Sequence, residues 1–64
     1  MNTVFVEGME VIVRLHGAGV TTEEDNVVSK VDGNKVWLEG DNTVFINGKQ
    51  DGIFGFWKEL VQKE

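Results

Sequence analysis

Asn34-Lys35-Val36-Trp37-Leu38-Glu39-Gly40 and Asn42-Thr43-Val44-Phe45-Ile46-Asn47-Gly48 are two versions of one phrase, offset by eight residues. Both read Asn-x-Val-aromatic-aliphatic-x-Gly. β-Branched and aromatic residues fill each centre, and Asn and Gly bound each end, which marks short strands joined by turns. Two copies are too few for a solenoid, which needs about three. The phrase therefore predicts two similar strands, 35–39 and 43–47, in one hairpin. Parity chooses between registers. A three-residue loop, Gly40-Asp41-Asn42, pairs Leu38 with Val44, Trp37 with Phe45 and Val36 with Ile46. It gathers four aliphatics on one face and puts Asn42 where a left-handed residue is needed, which Asn tolerates. A two-residue loop would pair Trp37 with Val44 and Val36 with Phe45, mixing the two sets. Register follows the buried face, so the three-residue loop is expected.

The same reasoning extends outward along the chain. A two-residue turn within Asp32-Gly33-Asn34 puts Val27, Ser29 and Val31 of a strand at 27–31 on the aliphatic face, whereas a three-residue loop would bury Lys30. Upstream, Met9, Val11, Val13 and Leu15 alternate with Glu10, Ile12, Arg14 and His16, a period of two that predicts a strand over 9–15. A shorter extended run, Thr3-Val4-Phe5-Val6, precedes it. Residues 17–26, with Gly17, Gly19 and the acidic run Glu23-Glu24-Asp25, form the longest polar stretch and read as a mobile loop. Downstream, Phe56, Trp57, Leu60 and Val61 fit helical spacing, so residues 56–62 read as a helical turn followed by a short edge strand. The expected core is Val11, Val13, Val36, Leu38, Val44 and Ile46.

The whole chain, 64 residues with 41% hydrophobic and 27% charged, fits one domain, 1–64, near the lower size limit for independent folding. There is no Cys, so disulfide staples and thiolate metal sites are excluded. No apolar run approaches the roughly 20 residues of a membrane span, and Met1 to Glu10 lacks the features of a signal peptide. A cytoplasmic protein without membrane contact is the expectation. Six basic against eleven acidic residues give a net charge of −5, and the only base in the first 29 residues is Arg14. A chain that tracks phosphate backbones normally carries a basic patch. An acidic surface instead keeps a small domain soluble, or is aimed at a basic partner.

The expected strand order is five strands with a long loop after the first, two tight hairpins and a late helical turn. Together with Phe5-x-x-Gly8-Met9-x-Val11-x-Val13 at the start, it resembles the SH3-like barrels. The resemblance implies an all-β, five-stranded small barrel. It does not imply recognition of proline-rich peptides: the chain has no Tyr and no Pro, and no counterpart of the aromatic segment that signalling SH3 domains use. Folds of this kind host many functions, so the fold decides none of them.

Residues able to carry chemistry are sparse. Ser29 is the only Ser and falls on the expected buried face. His16 is the only His, and nothing in the spacing places a hydroxyl and an orienting acid beside it. Glu23-Glu24-Asp25 lacks the spacing of a calcium loop, and His16-Gly17-Ala18-Gly19 lacks the context of a phosphate cradle. No catalytic residue, metal or cofactor is expected. The expected register leaves Val28, Trp37 and Phe45 side by side on the outward face, flanked by Lys30. Either a terminal segment covers them, such as Phe5 or the Phe54-to-Trp57 run, or they meet a partner. The expectation is thus a non-catalytic protein-binding module that docks through this face or through Glu23, Glu24 and Asp25. A short acidic chain of this kind suits a regulator or inhibitor of a basic protein, of the sort phages and mobile elements encode. The runner-up is a nucleic-acid-binding barrel in which Trp37 and Phe45 stack on bases, which the net charge disfavours. A homo-oligomeric structural subunit is the third reading.

Overall fold

The computed structural model describes residues 4–63. Six strands follow one another, each hydrogen-bonded to the next: β1 (Glu10–Gly17), β2 (Val20–Asp32), β3 (Lys35–Leu38), β4 (Val44–Ile46), β5 (Lys49–Asp51) and β6 (Trp57–Gln62). Antiparallel pairing of β6 with β1 closes the meander into a barrel. The architecture is the expected all-β small barrel, with six strands rather than five and no helical turn among the described residues. At the C-terminus the barrel overrides the helical spacing. Leu60 pairs with Val13 and faces the core, while Val61 pairs with Ile12 on the outside.

The expected 17–26 loop is a hairpin. Gly17 pairs with Val20, so the turn is only Ala18-Gly19. Both residues are left-handed, with φ 53° and 73°, the backbone of the hairpin turn that matches strand twist. The polar residues Thr21 to Asp25 pair in register with β1. Their exposure reflects a position beyond the packed part of the barrel rather than irregular backbone.

Two departures from simple alternation decide which side chains fill the interior. In β2 the expected two-residue turn forms, Asp32 pairs with Lys35 and Val31 with Val36, but the register shifts between Val28 and Lys30. The extra residue, Ser29, is a bulge, and a bulge inverts parity beyond it. Val28 therefore pairs with Leu38 and points inward, and the expected inward set Val27, Ser29, Val31 keeps only Val31. In β4 the register is the rejected one: Val36 pairs with Phe45 and Trp37 with Val44. The connection covers residues 39–43, held by Asp41, whose carboxylate accepts from the Thr43 N–H (2.9 Å) and hydroxyl (2.6 Å). These two bonds hold the Asp41 carboxyl below the ordinary aspartate range.

The core is Val11, Val28, Val36, Leu38, Phe45 and Leu60, with Phe5, Met9, Val13 and Val31 packed around it. Of the expected core, Val11, Val36 and Leu38 are buried and Val13 is partly buried against them. Val44 lies on the outer face and Ile46 is exposed. One large ring, fully enclosed, does what two aliphatics were expected to do, and a buried Phe brings about 150–250 Å² of area with it.

Candidate functional site

The outward patch Val28–Trp37–Phe45 does not form. Val28 and Phe45 are 1% and 0% exposed, because the bulge at Ser29 and the β3–β4 register turn both inward. Trp37 alone stays outside, half-buried, with the Lys30 Nζ 5.0 Å from its ring centroid. That geometry is a cation–π contact across neighbouring strands. A base-stacking platform built from Trp37 and Phe45 therefore loses one of its two rings. Glu23, Glu24 and Asp25 lie on β2, all exposed. Glu23 accepts from Arg14 at 2.7 Å, and Asp25 lies 3.4 Å from the Lys63 Nζ. Glu24 pairs with Val13 and so points to the opposite side of the sheet.

On the outer face of β2, β1 and β6 the fold assembles a cluster around His16. The ring stacks on Trp57, with centroids 4.3 Å apart and planes 18° from parallel. Nε2 lies 2.8 Å from Glu59 Oε1 and Nδ1 lies 3.1 Å from Thr21 Oγ1. A carboxylate only accepts, so Nε2 carries the hydrogen. Nδ1 then accepts from the Thr21 hydroxyl in the neutral ring and donates to it in the charged one, so the network is satisfied in both states. Register brings these groups together: His16 sits opposite Thr21 on one side and Trp57 on the other. Glu59 is 43 residues away, and no local spacing announces it. The cluster clamps three strands at the point where the β1–β2 hairpin leaves the barrel body.

The connection between β5 and β6 carries two strongly exposed apolar side chains. The Gly52 N–H donates to the Phe56 carbonyl at 2.8 Å and the Phe56 N–H to the Ile53 carbonyl at 3.0 Å, closing a tight tip of Ile53, Phe54 and Gly55. Phe54 adopts φ 55° and is 91% exposed, and Ile53 is 74% exposed. A bulky residue in left-handed backbone is strained, and the strain here holds an aromatic ring in water. Phe56, at the base of the tip, lies against Gly17, where an added Cβ would run into the Phe56 ring. The ring needs the bare glycine, and the contact fixes the tip to the neighbouring hairpin. The sequence reading passes over Ile53 and Phe54 because it takes the run 54–57 as a candidate cover for the outward aromatics and begins the regular element after Gly55. The signal was Gly52 and Gly55 bracketing two apolar residues, which marks a loop tip.

The opposite end of the barrel holds an open groove lined by Phe5, Val31, Val36, Ile46 and Leu60. Phe5 folds under the barrel and its ring approaches Gly48, where a Cβ would lie 3.2 Å away. Among the described residues no group of three or more His, Cys, Asp or Glu side chains converges as a metal site. No helix of the described residues is long and apolar enough to cross a membrane. No family model matches the chain, and no curated protein or solved structure shows significant similarity to it.

Proposed function

We propose that this chain is a non-catalytic protein-binding module on an SH3-like barrel, a small acidic regulator or inhibitor that docks on a larger cytoplasmic protein. The SH3-like assignment is supported by the long second strand, which serves β1 with its first half and β3 with its second, and by the last strand returning to the first. The observation that carries the binding role is the Ile53-Phe54 tip. Two consecutive large apolar side chains stand in solvent on a hydrogen-bonded hairpin end, one of them in strained backbone. Neither contributes to the core, and ordering them in advance lowers the cost of docking. Aromatic anchors of this kind dominate interface energetics. The net charge of −5 favours a partner with a basic rim around the pocket that takes Phe54.

The test compares the wild-type chain with the double variant Ile53→Ser, Phe54→Ser in affinity capture from extract of the source cell. Thermal unfolding is run beside it. The expected result is loss of the specifically retained proteins at an unchanged midpoint. Equal retention by the variant would move the docking surface elsewhere.

A further inference from the structure

The barrel is closed, yet one stretch of it has a free edge. β2 is hydrogen-bonded to β1 from Val20 to Val27, but its ladder with β3 begins only at Val28. Above that point the last bond on the β3 side runs from the Glu39 N–H to the Val27 carbonyl, at 2.9 Å. In an antiparallel pair, residues alternate between bonding the neighbour and facing away from it. The Val28 N–H donates to the carbonyl of Met9, the residue just before β1. The residues of β2 that face β1 are therefore Val28, Asn26, Glu24, Thr22 and Val20. Thr21, Glu23 and Asp25 direct their N–H and C=O groups the other way, and among the described residues no strand pairs with them. All three are exposed.

Building on the protein-binding reading above, we propose that this edge is a strand-addition site and that its occupant is an extended segment of a partner protein bearing Lys or Arg at alternate positions. Main-chain bonds to Thr21, Glu23 and Asp25 would hold the segment. Cross-strand pairing puts its alternate side chains beside Glu23 and Asp25 on the outer face, where opposite charges attract. Glu24 offers a carboxylate to the intervening positions. Arg14 and Lys63 already share Glu23 and Asp25, so the attraction is tempered and the backbone ladder must supply the rest. A second copy of this chain is the wrong occupant: two such edges side by side bring Glu23, Glu24 and Asp25 against their own kind, and like charges directly opposite are destabilising. The same charges guard the edge against self-pairing. The His16 clamp to Thr21 and Glu59 keeps this half of β2 in strand geometry without a second neighbour.

The probe is a capped eight-residue peptide of alternating Lys and Thr, added to the full chain, with amide hydrogen exchange and calorimetry as readouts. A second peptide carries the same charges with the backbone nitrogen of every Lys methylated, which removes those main-chain donors and leaves the side-chain charges in place. The free protein should show a two-residue alternation, with fast exchange at Thr21, Glu23 and Asp25 and slow exchange at Thr22 and Glu24. The unmodified peptide should slow those three amides. The methylated peptide should bind at least about tenfold more weakly, a factor that corresponds to roughly one or two net hydrogen bonds. Glu23→Gln with Asp25→Asn should weaken the unmodified peptide and flatten its salt dependence. Equal binding of the two peptides, or no slowing at the three amides, would overturn the proposal. Concentration-dependent protection of those amides without peptide, with a dimer in sedimentation, would give the edge to a second copy and also overturn it. The Ile53→Ser, Phe54→Ser variant should bind the peptide unchanged, so failure of the docking tip and failure of the edge are read separately.

Discussion

The two copies of the seven-residue phrase fold with opposite faces inward. In the first, Val36 and Leu38 enter the core and Trp37 stays outside; in the second, Phe45 enters and Val44 and Ile46 stay out. Their sixth positions differ, Glu39 against Asn47. Asn47 takes φ 54° and Gly48 φ 76°, so Ile46 pairs directly with Lys49 across a two-residue turn. Glu39 does not adopt left-handed backbone, and the first copy runs instead into the longer 39–43 connection. Each copy offers a large apolar side chain to either face, so periodicity leaves the choice open. The turns and the volume of the interior make it.

The strongest way to break this comparison is to truncate the two aromatics at corresponding positions. Phe45→Ala should cost about 3–5 kcal/mol in urea denaturation, enough to unfold most domains of this size, and Trp37→Ala about 1 kcal/mol or less. Similar costs would mean that both rings are packing residues. The aliphatics behind them should show the reverse order. Leu38→Ala should cost about 2–5 kcal/mol and Ile46→Ala under about 1 kcal/mol, measured the same way; a larger loss at Ile46 would restore the aliphatic-face register. A smaller effect sharpens the turn argument. Asn47→Ala should cost about 1–2 kcal/mol, the strain of a left-handed Ala, while Asn47→Gly is nearly neutral and Glu39→Ala changes nothing measurable.

The smallest effect belongs to the connection that distinguishes the first copy. The Thr43 bonds favour the charged form of Asp41, so its carboxyl titrates lower in the folded chain than in the unfolded one. A group depressed in this way contributes stability above the unfolded value, near pH 4, and loses it as pH falls through the folded value. Asp41→Ala should therefore cost about 0.5 kcal/mol or less at neutral pH, since solvent screens so exposed a carboxyl, and the gap from wild type should close once acid protonates the folded carboxyl. A gap that persisted in acid would point to loop geometry rather than charge.

Much of the barrel was legible from its residues. The Met9–Leu15 alternation lies within the first strand and its approach, the Gly33-Asn34 turn forms as argued, and Val11, Val36 and Leu38 are core. What failed did so for identifiable reasons. The bulge at Ser29 is invisible to a period-two count. Counting aliphatics gave Val44 and Ile46 the same weight as Phe45 and ignored how much larger the ring is. Asn47-Gly48 is the strongest hairpin signal in the chain, and treating it as a strand end hid β5. Ala18-Gly19 was hidden by the polar residues after it, whose partners on β1 satisfy their backbone without burying their side chains. Of the expected partner-binding residues, Lys30, Trp37, Glu23, Glu24 and Asp25 remain on the surface and Val28 and Phe45 do not. The clamp around His16 was out of reach, since it depends on a strand pairing between distant parts of the chain.

That pairing also sets an order of events. Every other ladder joins strands that are neighbours along the chain and can zip from a turn within microseconds. Among the described residues only β1 with β6 joins remote segments; the nearest pair across it is His16 with Trp57, and its far end is the Lys63 N–H on the Glu10 carbonyl at 3.1 Å. Closing a loop of that length costs roughly 3 kcal/mol in chain entropy beyond a fixed initiation term. The seam between first and last strand is therefore the expected bottleneck in folding and the line along which the barrel first opens. Joining the two ends of the chain with a short linker, which makes that seam local, should speed folding more than any single side-chain substitution.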